Sequence, residues 1–152
     1  MKWRYNDGGR AEAGYKGSTG DCAVRSLAIV TGKSYQEIYD TINEVALTER
    51  TGSRKRGKSN ARTGVYKATF RKVAEALGLK WQPTMFIGSG CKVHLKDGEL
   101  PMGRLIVSVS KHYTAVIDGV INDIHNPQRQ TLIVENGNKR IAERCVYGYF
   151  YQ

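Results

Sequence analysis

The hydrophobic pattern of the chain changes once, near residue 105, and this change limits the folds that the chain can adopt. Before it, apolar residues recur every three or four positions, the spacing of helices that bury one face. This spacing predicts three helices, from residue 22 to Gly32, from Ser34 to about residue 45, and from Thr63 to Gly78. After it, short runs rich in β-branched residues predict strands. Helices followed by antiparallel strands make an α+β fold, with N-terminal helices packed on a C-terminal antiparallel β-sheet.

The second half of the sequence also predicts how its central strands pair. Apolar runs predict three strands, at residues 105–110, 113–117 and 120–123. Asp118-Gly119, between the last two runs, is typical of the two-residue turn of a β-hairpin. Further strands are expected at residues 80–86, 130–134 and 145–151, the last two as a pair. The glycine-rich, polar residues 1–20 predict an N-terminal loop.

The length and charge of the chain indicate one domain with an anionic partner. A chain of 152 residues suits a single domain, residues 1–152, and its net charge of +10 favours nucleic acid or an acidic protein surface. Residues 49–63 have almost no apolar side chain and predict an exposed basic loop. Its candidate anion-binding residues are Arg54, Lys55, Arg56, Lys58 and Arg62. A solvated loop without a partner is the alternative.

The cysteine content and the N-terminus bear on the cellular setting. Three cysteines without a Cys-x-x-Cys pair predict no disulfide framework and favour a reducing, cytoplasmic setting. The first residues are polar, so we expect no signal peptide, and no apolar run is long enough to cross a membrane. The expectation is a cytoplasmic protein with no membrane partner and no cofactor.

Cys22 lies at the start of the first predicted helix, directly after Gly20 and Asp21. The free N–H groups of a first helical turn, together with the positive end of the helix dipole, favour a thiolate. We expect Asp21 or Thr19 to cap these N–H groups. Cys22 is therefore a candidate nucleophile, and an inert, buried cysteine is the alternative.

A cysteine nucleophile needs a base, and the base needs an acceptor that orients it. His112 lies between two predicted strands, at the edge of the sheet. If Asp118-Gly119 forms the turn, Asp123 is a diagonal neighbour of His112 on the same face, roughly 7–8 Å away along the backbone. The pleat therefore selects Asp123 as the orienting acid. Cys22, His112 and Asp123 are the predicted catalytic residues.

The same register allows a second kind of site. It places His125 directly opposite His112, so His112, His125 and Asp123 form a possible metal-binding cluster. The helix-start cysteine upstream favours the catalytic interpretation, and no metal is assigned.

The order of these residues resembles that of the papain-like superfamily of cysteine peptidases. In that superfamily a cysteine opens the first long helix, and a histidine and an acidic residue follow on later strands. Gly20-Asp21-Cys22, followed late in the chain by His112-Tyr113, is similar to ovarian-tumour-type deubiquitinases and bacteriocin-leader peptidases. The resemblance implies a papain-like fold and a thiol hydrolase that cleaves an amide or isopeptide bond of a peptide or protein.

The chain also resembles a widespread group of uncharacterised phage and bacterial proteins, over nearly its whole length. The resemblance rests on four stretches, residues 6–10, 20–22, 87–95 and 105–123. It implies a phage-encoded protein of the host cytoplasm. The group often has an acidic residue where this chain has Asn126, which leaves the acidic role to Asp123.

Papain-like enzymes hold the reaction's oxyanion with the backbone N–H of the cysteine and with a side chain upstream, often glutamine. No glutamine precedes Cys22 in this chain, and Asn6, Ser18 and Thr19 are the candidates in its place. This departure leaves an alternative function open. The chain could be a catalytically inactive papain-like fold that acts as a basic binding module for nucleic acid or an acidic host protein.

Overall fold

The computed structural model of the protein describes residues 1–17, 19–50 and 57–152. Its elements in chain order are β1 (Lys2–Tyr5), α1 (Cys22–Thr31), α2 (Tyr35–Ala46), α3 (Lys67–Ala76), β2 (Lys80–Pro83), β3 (Arg104–Val109), β4 (His112–Ile117), β5 (Val120–Asp123), β6 (Gln130–Glu135), β7 (Asn138–Glu143) and β8 (Gly148–Tyr151). The helices precede most of the strands, and the predicted α+β class is confirmed.

Six strands form one mostly antiparallel sheet in the order β1-β5-β4-β3-β8-β2, and β6 pairs with β7 in a separate two-stranded sheet. Successive residues of a strand point to opposite faces, and both faces of the central strands are buried. Ile106 and Ala115 pack against the helices on one face. Leu105 and Val116 belong to a second apolar cluster on the other. Burial on both faces explains why these strands are continuous apolar runs in the sequence.

The first two helices begin and end where the sequence predicts. Gly32 has a left-handed φ of 75°, and its N–H donates to the carbonyl of Ala28 at the end of α1. Ser34 caps α2, because its side chain accepts the N–H of Glu37 at 3.1 Å. The end of α1 at Gly32 and the start of α2 after Ser34 leave only a short connection between the two helices.

The third helix starts later than the sequence predicts. Asn60 and Gly64 exchange two backbone hydrogen bonds, of 2.8 and 2.9 Å, so the chain makes a tight turn at Thr63 and α3 begins only at Lys67. Thr63 in this turn packs against Gly20, close to the start of α1. None of the helices in the described ranges is both long and apolar enough to span a membrane.

Two strand predictions were wrong. The predicted N-terminal loop contains β1, a strand of only four residues with exposed side chains, which runs parallel to β5 at the sheet edge. β6 pairs with β7 and not with residues 145–151. The reason is local: Asn136 and Gly137 both adopt positive φ, at 50° and 77°, and form a tight hairpin turn. β8 instead lies between β3 and β2.

The prediction of no disulfide was also wrong. Cys91 and Cys145 are bonded, with their Cα atoms 6.0 Å apart, and they are 54 positions apart in the sequence. The odd number of cysteines is explained by Cys22, which is free. Because disulfides persist mainly in oxidising compartments, this bond removes one sequence-based reason for a cytoplasmic setting.

The predicted basic loop is only partly exposed. Residues 51–56 lie outside the described residues, but Ser59 and Ala61 are buried. The carboxylate of Glu49 accepts hydrogen bonds from the backbone and hydroxyl of Ser59 and from the hydroxyl of Thr69 on α3. These bonds tie the end of the segment to the helical layer.

Candidate active site

Cys22 is the first residue of α1 and opens into a cavity of about 270 Å³. The chain reaches it through Gly20, which packs against the carbonyl of Thr63. A Cβ on Gly20 would lie 2.6 Å from that oxygen, so any larger residue would push the turn at Thr63 away. Cys22 is half-buried and is the one cysteine of the chain that is not in the disulfide. Its thiol is therefore both accessible and free to react.

His112 begins β4 and lines the same cavity as Cys22. β4 and β5 pair with Ala115 opposite Asn122, which is the register that the Asp118-Gly119 turn predicts. This register brings His112 to Asp123, with Nε2 of the ring 2.7 Å from Oδ2 of the carboxylate. The structure thus brings the predicted triad together: Cys22 and His112 line one cavity, and Asp123 is buried against His112.

The carboxylate of Asp123 is buried and has a partner for each oxygen. Oδ2 accepts the hydroxyl of Thr114 at 2.8 Å in addition to His112. Oδ1 accepts Nη1 of Arg25 at 2.6 Å and the backbone N–H of Ile124 at 2.8 Å. Burial raises the pKa of this carboxyl, but His112, Thr114 and Arg25 outweigh burial and bring the pKa to about 2. Asp123 is therefore a fixed negative charge at neutral pH.

The environment of Cys22 favours the thiolate. Burial raises the pKa of the thiol, but hydrogen bonds from His112 and from the backbone of Tyr113 lower it by more. The positive charges of His112 and Arg25 act in the same direction. The net pKa of Cys22 lies below its ordinary value.

The same interactions favour the protonated form of His112. Burial lowers the pKa of the ring, but the hydrogen bonds and negative charges of Asp123 and Cys22 raise it to about 9. The lowered pKa of Cys22 and the raised pKa of His112 together favour a thiolate beside an imidazolium. Such a pair is the resting form of an activated cysteine nucleophile.

A buried ion network continues from the triad into the helical layer, and sequence reasoning missed it. Asp21 stands at the N-cap of α1 but makes no capping bond with its side chain, contrary to the prediction. Its carboxylate accepts Nε of Arg25 at 2.9 Å and the hydroxyl of Tyr35 at 2.6 Å, and it also pairs with Arg10 at 3.2 Å. Burial raises the pKa of Asp21, and these partners lower it below its ordinary value. The sequence signal for this network was the pair of opposite charges, Asp21 and Arg25, four positions apart at an otherwise apolar helix.

Arg25 connects the two buried carboxylates of this network. Burial lowers the pKa of its guanidinium, but Asp21 and Asp123 raise it by more, so the side chain keeps its charge. Arg25 is 4 % exposed, Asp21 0 % and Asp123 1 %. Removing any one of the three would leave a buried charge without its partner.

The residues of the possible metal cluster also lie together. His112, Asp123 and His125 each have a ligand atom within 4.8 Å of those of the other two. The ring centroids of the two histidines are 5.0 Å apart. However, both oxygens of Asp123 are already bonded to Arg25 and His112. A cation would have to displace one of these partners, so the donor set fits a metal poorly.

The oxyanion candidates are placed differently from one another. Asn6 accepts the N–H of Gly8 at 2.9 Å and donates to Asn122 at 3.2 Å, so both ends of its amide are engaged. The hydroxyl oxygen of Thr19, three positions before Cys22, is buried and has no hydrogen-bond partner among the described residues. Ser18 lies outside the described residues. Of the two that the structure describes, Thr19 has the hydroxyl that is not already bonded and can donate to a new partner.

The candidate anion-binding residues are only partly described. Arg54, Lys55 and Arg56 lie outside the described residues, and Lys58 is exposed. Arg62 donates to the carbonyl of Lys16 at 2.6 Å, so its guanidinium is held against the N-terminal segment.

Comparisons with protein-family models, curated protein sequences and solved structures found no match for this chain. The resemblance to papain-like peptidases therefore stays an expectation from the sequence. The geometry around Cys22 is therefore the evidence on which a function can be based.

Proposed function

We propose that the protein is a papain-like thiol hydrolase that cleaves an amide or isopeptide bond of a peptide or protein. The observation that carries the proposal is the chain of contacts from Cys22 through His112 to the buried Asp123, with Cys22 and His112 lining one open cavity. In it, Cys22 is the nucleophile, His112 the general acid and base, and Asp123 the group that orients the ring. This arrangement is typical of acyl transfer through a cysteine.

The reaction has two halves. In the first, the thiolate of Cys22 attacks the substrate carbonyl, and the imidazolium of His112 gives its proton to the leaving nitrogen as the C–N bond breaks. A thioester and a neutral imidazole result. In the second, a water gives a proton to His112 as its oxygen attacks the thioester. The carboxylic acid product leaves, and the thiolate and imidazolium are restored.

Asp123 and its partners support both halves by fixing the ring of His112. Nε2 of the ring is bonded to Asp123, which leaves Nδ1 for exchange with Cys22 and the substrate. Thr114 and Arg25 hold the carboxylate from its other sides. A carboxylate held in this way cannot turn from the ring, so the tautomer of His112 is set before substrate binds.

The negative oxygen formed in each half needs hydrogen-bond donors. By analogy with papain-like enzymes, we assign one donor to the backbone N–H of Cys22, at the start of α1. We assign the other to the hydroxyl of Thr19, three positions before Cys22 in the chain, which is buried without a partner among the described residues. A Thr19→Val variant, which keeps the shape and loses the hydroxyl, should lower kcat while leaving KM nearly unchanged.

The proposal is tested by incubating the protein with a peptide library and with isopeptide-linked peptides, and identifying products by mass spectrometry. Cleavage at defined bonds is expected, together with a thioester-linked adduct of Cys22 trapped at low pH. Cys22→Ala should abolish cleavage, and Cys22→Ser should reduce it strongly, because a hydroxyl is a poorer nucleophile at this pH. Cleavage that survives Cys22→Ala would contradict the proposal.

The alternative function is a basic binding module for nucleic acid or an acidic protein, with no catalysis. The high positive charge and the exposed Lys58 favour it. Binding of this kind weakens steeply with salt and depends on the basic segment. The discriminating variant neutralises Arg54, Lys55, Arg56 and Lys58 together: it should abolish binding to nucleic acid under this alternative, and leave peptide cleavage intact under the proposed hydrolase.

A further inference from the structure

A second cavity, of about 180 Å³, adjoins the one that holds Cys22. Lys67, Ser108 and Tyr113 line both cavities, so the two form one continuous groove. The groove runs between the start of α3 and the ends of β3 and β4, from the nucleophile to Trp81. A peptide lying along it would reach both cavities at once.

The floor of the second cavity is aromatic and packed from below. Trp81 and Phe150 have ring centroids 4.7 Å apart. Tyr113 stacks at 3.9 Å on Phe70, which is fully buried. The ring of Trp81 rests directly on the backbone of β8, because a Cβ on Gly148 would lie 2.4 Å from it. These contacts fix the floor in place, and the cavity has the size of one large apolar side chain.

The charged groups around the groove are all basic. Lys67 and Lys111 line the first cavity with His112, and Lys67 and Arg71 line the second. Lys67 and Arg71 are four positions apart on α3 and so lie on the same face of the helix. No carboxylate lines either cavity within the part of the chain that the structure describes. An acidic segment is therefore the complementary occupant.

We propose that the second cavity is a substrate subsite for a peptide that carries an aromatic or large aliphatic side chain flanked by carboxylates. The side chain lies on Trp81 and Phe150, one carboxylate pairs with Lys67, and the other replaces Glu75 as the partner of Arg71. This inference rests on the proposed hydrolase function, because it assigns the cavity to the substrate of Cys22. It names the substrate class, an acidic peptide with one bulky apolar residue near the scissile bond.

The test measures binding without turnover, by fluorescence anisotropy on the Cys22→Ala protein. The probe is a rhodamine-labelled seven-residue peptide with one phenylalanine between two aspartates. Replacing the phenylalanine by alanine, or both aspartates by lysines, should each weaken binding about tenfold. Lys67→Glu should weaken binding of the original peptide by a similar factor, whereas Lys72→Glu, an equal charge change on an exposed site of the same helix, should not.

Two outcomes would overturn the subsite. One is equal binding of the phenylalanine and alanine peptides, which would mean that the aromatic floor is unused. The other is an equal loss with Lys67→Glu and Lys72→Glu, which would mean a diffuse attraction to a basic protein. Neither outcome depends on catalysis, so failure of the subsite is distinct from failure of the hydrolase, which is judged by peptide cleavage in the unmodified protein.

Discussion

Arg25 holds Oδ1 of Asp123 at 2.6 Å, on the side of the carboxylate away from His112. The acid of the proposed triad is thus clamped between a histidine at the cavity and a guanidinium in the core. Arg25 in turn is bonded to the buried Asp21, directly before Cys22 in the chain. The start of α1 and the β4–β5 hairpin are therefore joined by buried charges as well as by apolar packing.

Arg25→Met should be strongly destabilising, because it leaves Asp21 and Asp123 buried without their shared counter-ion. We expect the free energy of unfolding to fall by about 3–5 kcal/mol in urea denaturation. Arg71→Met is the control, since Arg71 pairs with Glu75 on the exposed face of α3 and its loss should cost less than about 1 kcal/mol. Similar losses in the two variants would show that the buried network contributes little.

Asp123→Asn should weaken the activation of Cys22. Without the negative charge of Asp123 the pKa of His112 falls, so less imidazolium is present to stabilise the thiolate. The inflection in the pH dependence of Cys22 alkylation should therefore move to higher pH. Asp118→Asn, at the exposed turn between β4 and β5, is the matched control and should leave the inflection in place.

Hydrolysis should fall as the pH rises through about 9. His112 must be protonated to give its proton to the leaving group, and its pKa in the folded protein is about 9. Alkylation of Cys22 needs only the thiolate and should not fall over the same range. The measurement is the pH profile of kcat for a cleaved peptide beside that of alkylation by iodoacetamide. Two profiles that fall together above pH 9 would be inconsistent with His112 as the acid.

His125→Ala separates the catalytic site from the possible metal cluster. His125 is exposed, and the proposed reaction does not use it, so alkylation of Cys22 should change by less than about twofold. Zinc ions should slow the alkylation of Cys22 no more in the original protein than in His125→Ala. Protection by zinc that is present in the original protein and lost in His125→Ala would instead support a metal site of His112, Asp123 and His125.

The parts of the site that depend on local rules were predictable from the sequence. A turn at Asp118-Gly119 sets the register of β4 and β5, and the two-residue period of a strand then places His112 and Asp123 on one face. The glycine after α1 and the serine before α2 are likewise local signals. Cys22 at a helix start follows from the same kind of evidence.

The parts that depend on long-range packing were not predictable. β1 pairs with β5 across more than a hundred positions, and its four exposed residues are too short a run to signal a strand within a glycine-rich, polar segment. The Cys91–Cys145 disulfide also joins distant segments. In the sequence, Asp21 has the position of a helix cap. Only the fold shows that its carboxylate instead binds Arg25, Tyr35 and Arg10. Tertiary partners replaced the local capping bond at this position.

The activation of Cys22 by His112 is tested by the pH dependence of Cys22 alkylation by iodoacetamide, in the original protein and in His112→Ala. Because Cys91 and Cys145 are bonded to each other, the reagent reports on Cys22 alone while that disulfide is intact. An activated thiolate gives an inflection below the ordinary value of ~8.5, which returns toward that value in His112→Ala. An inflection near ~8.5 in both proteins would contradict the activated thiolate on which the proposed hydrolase depends.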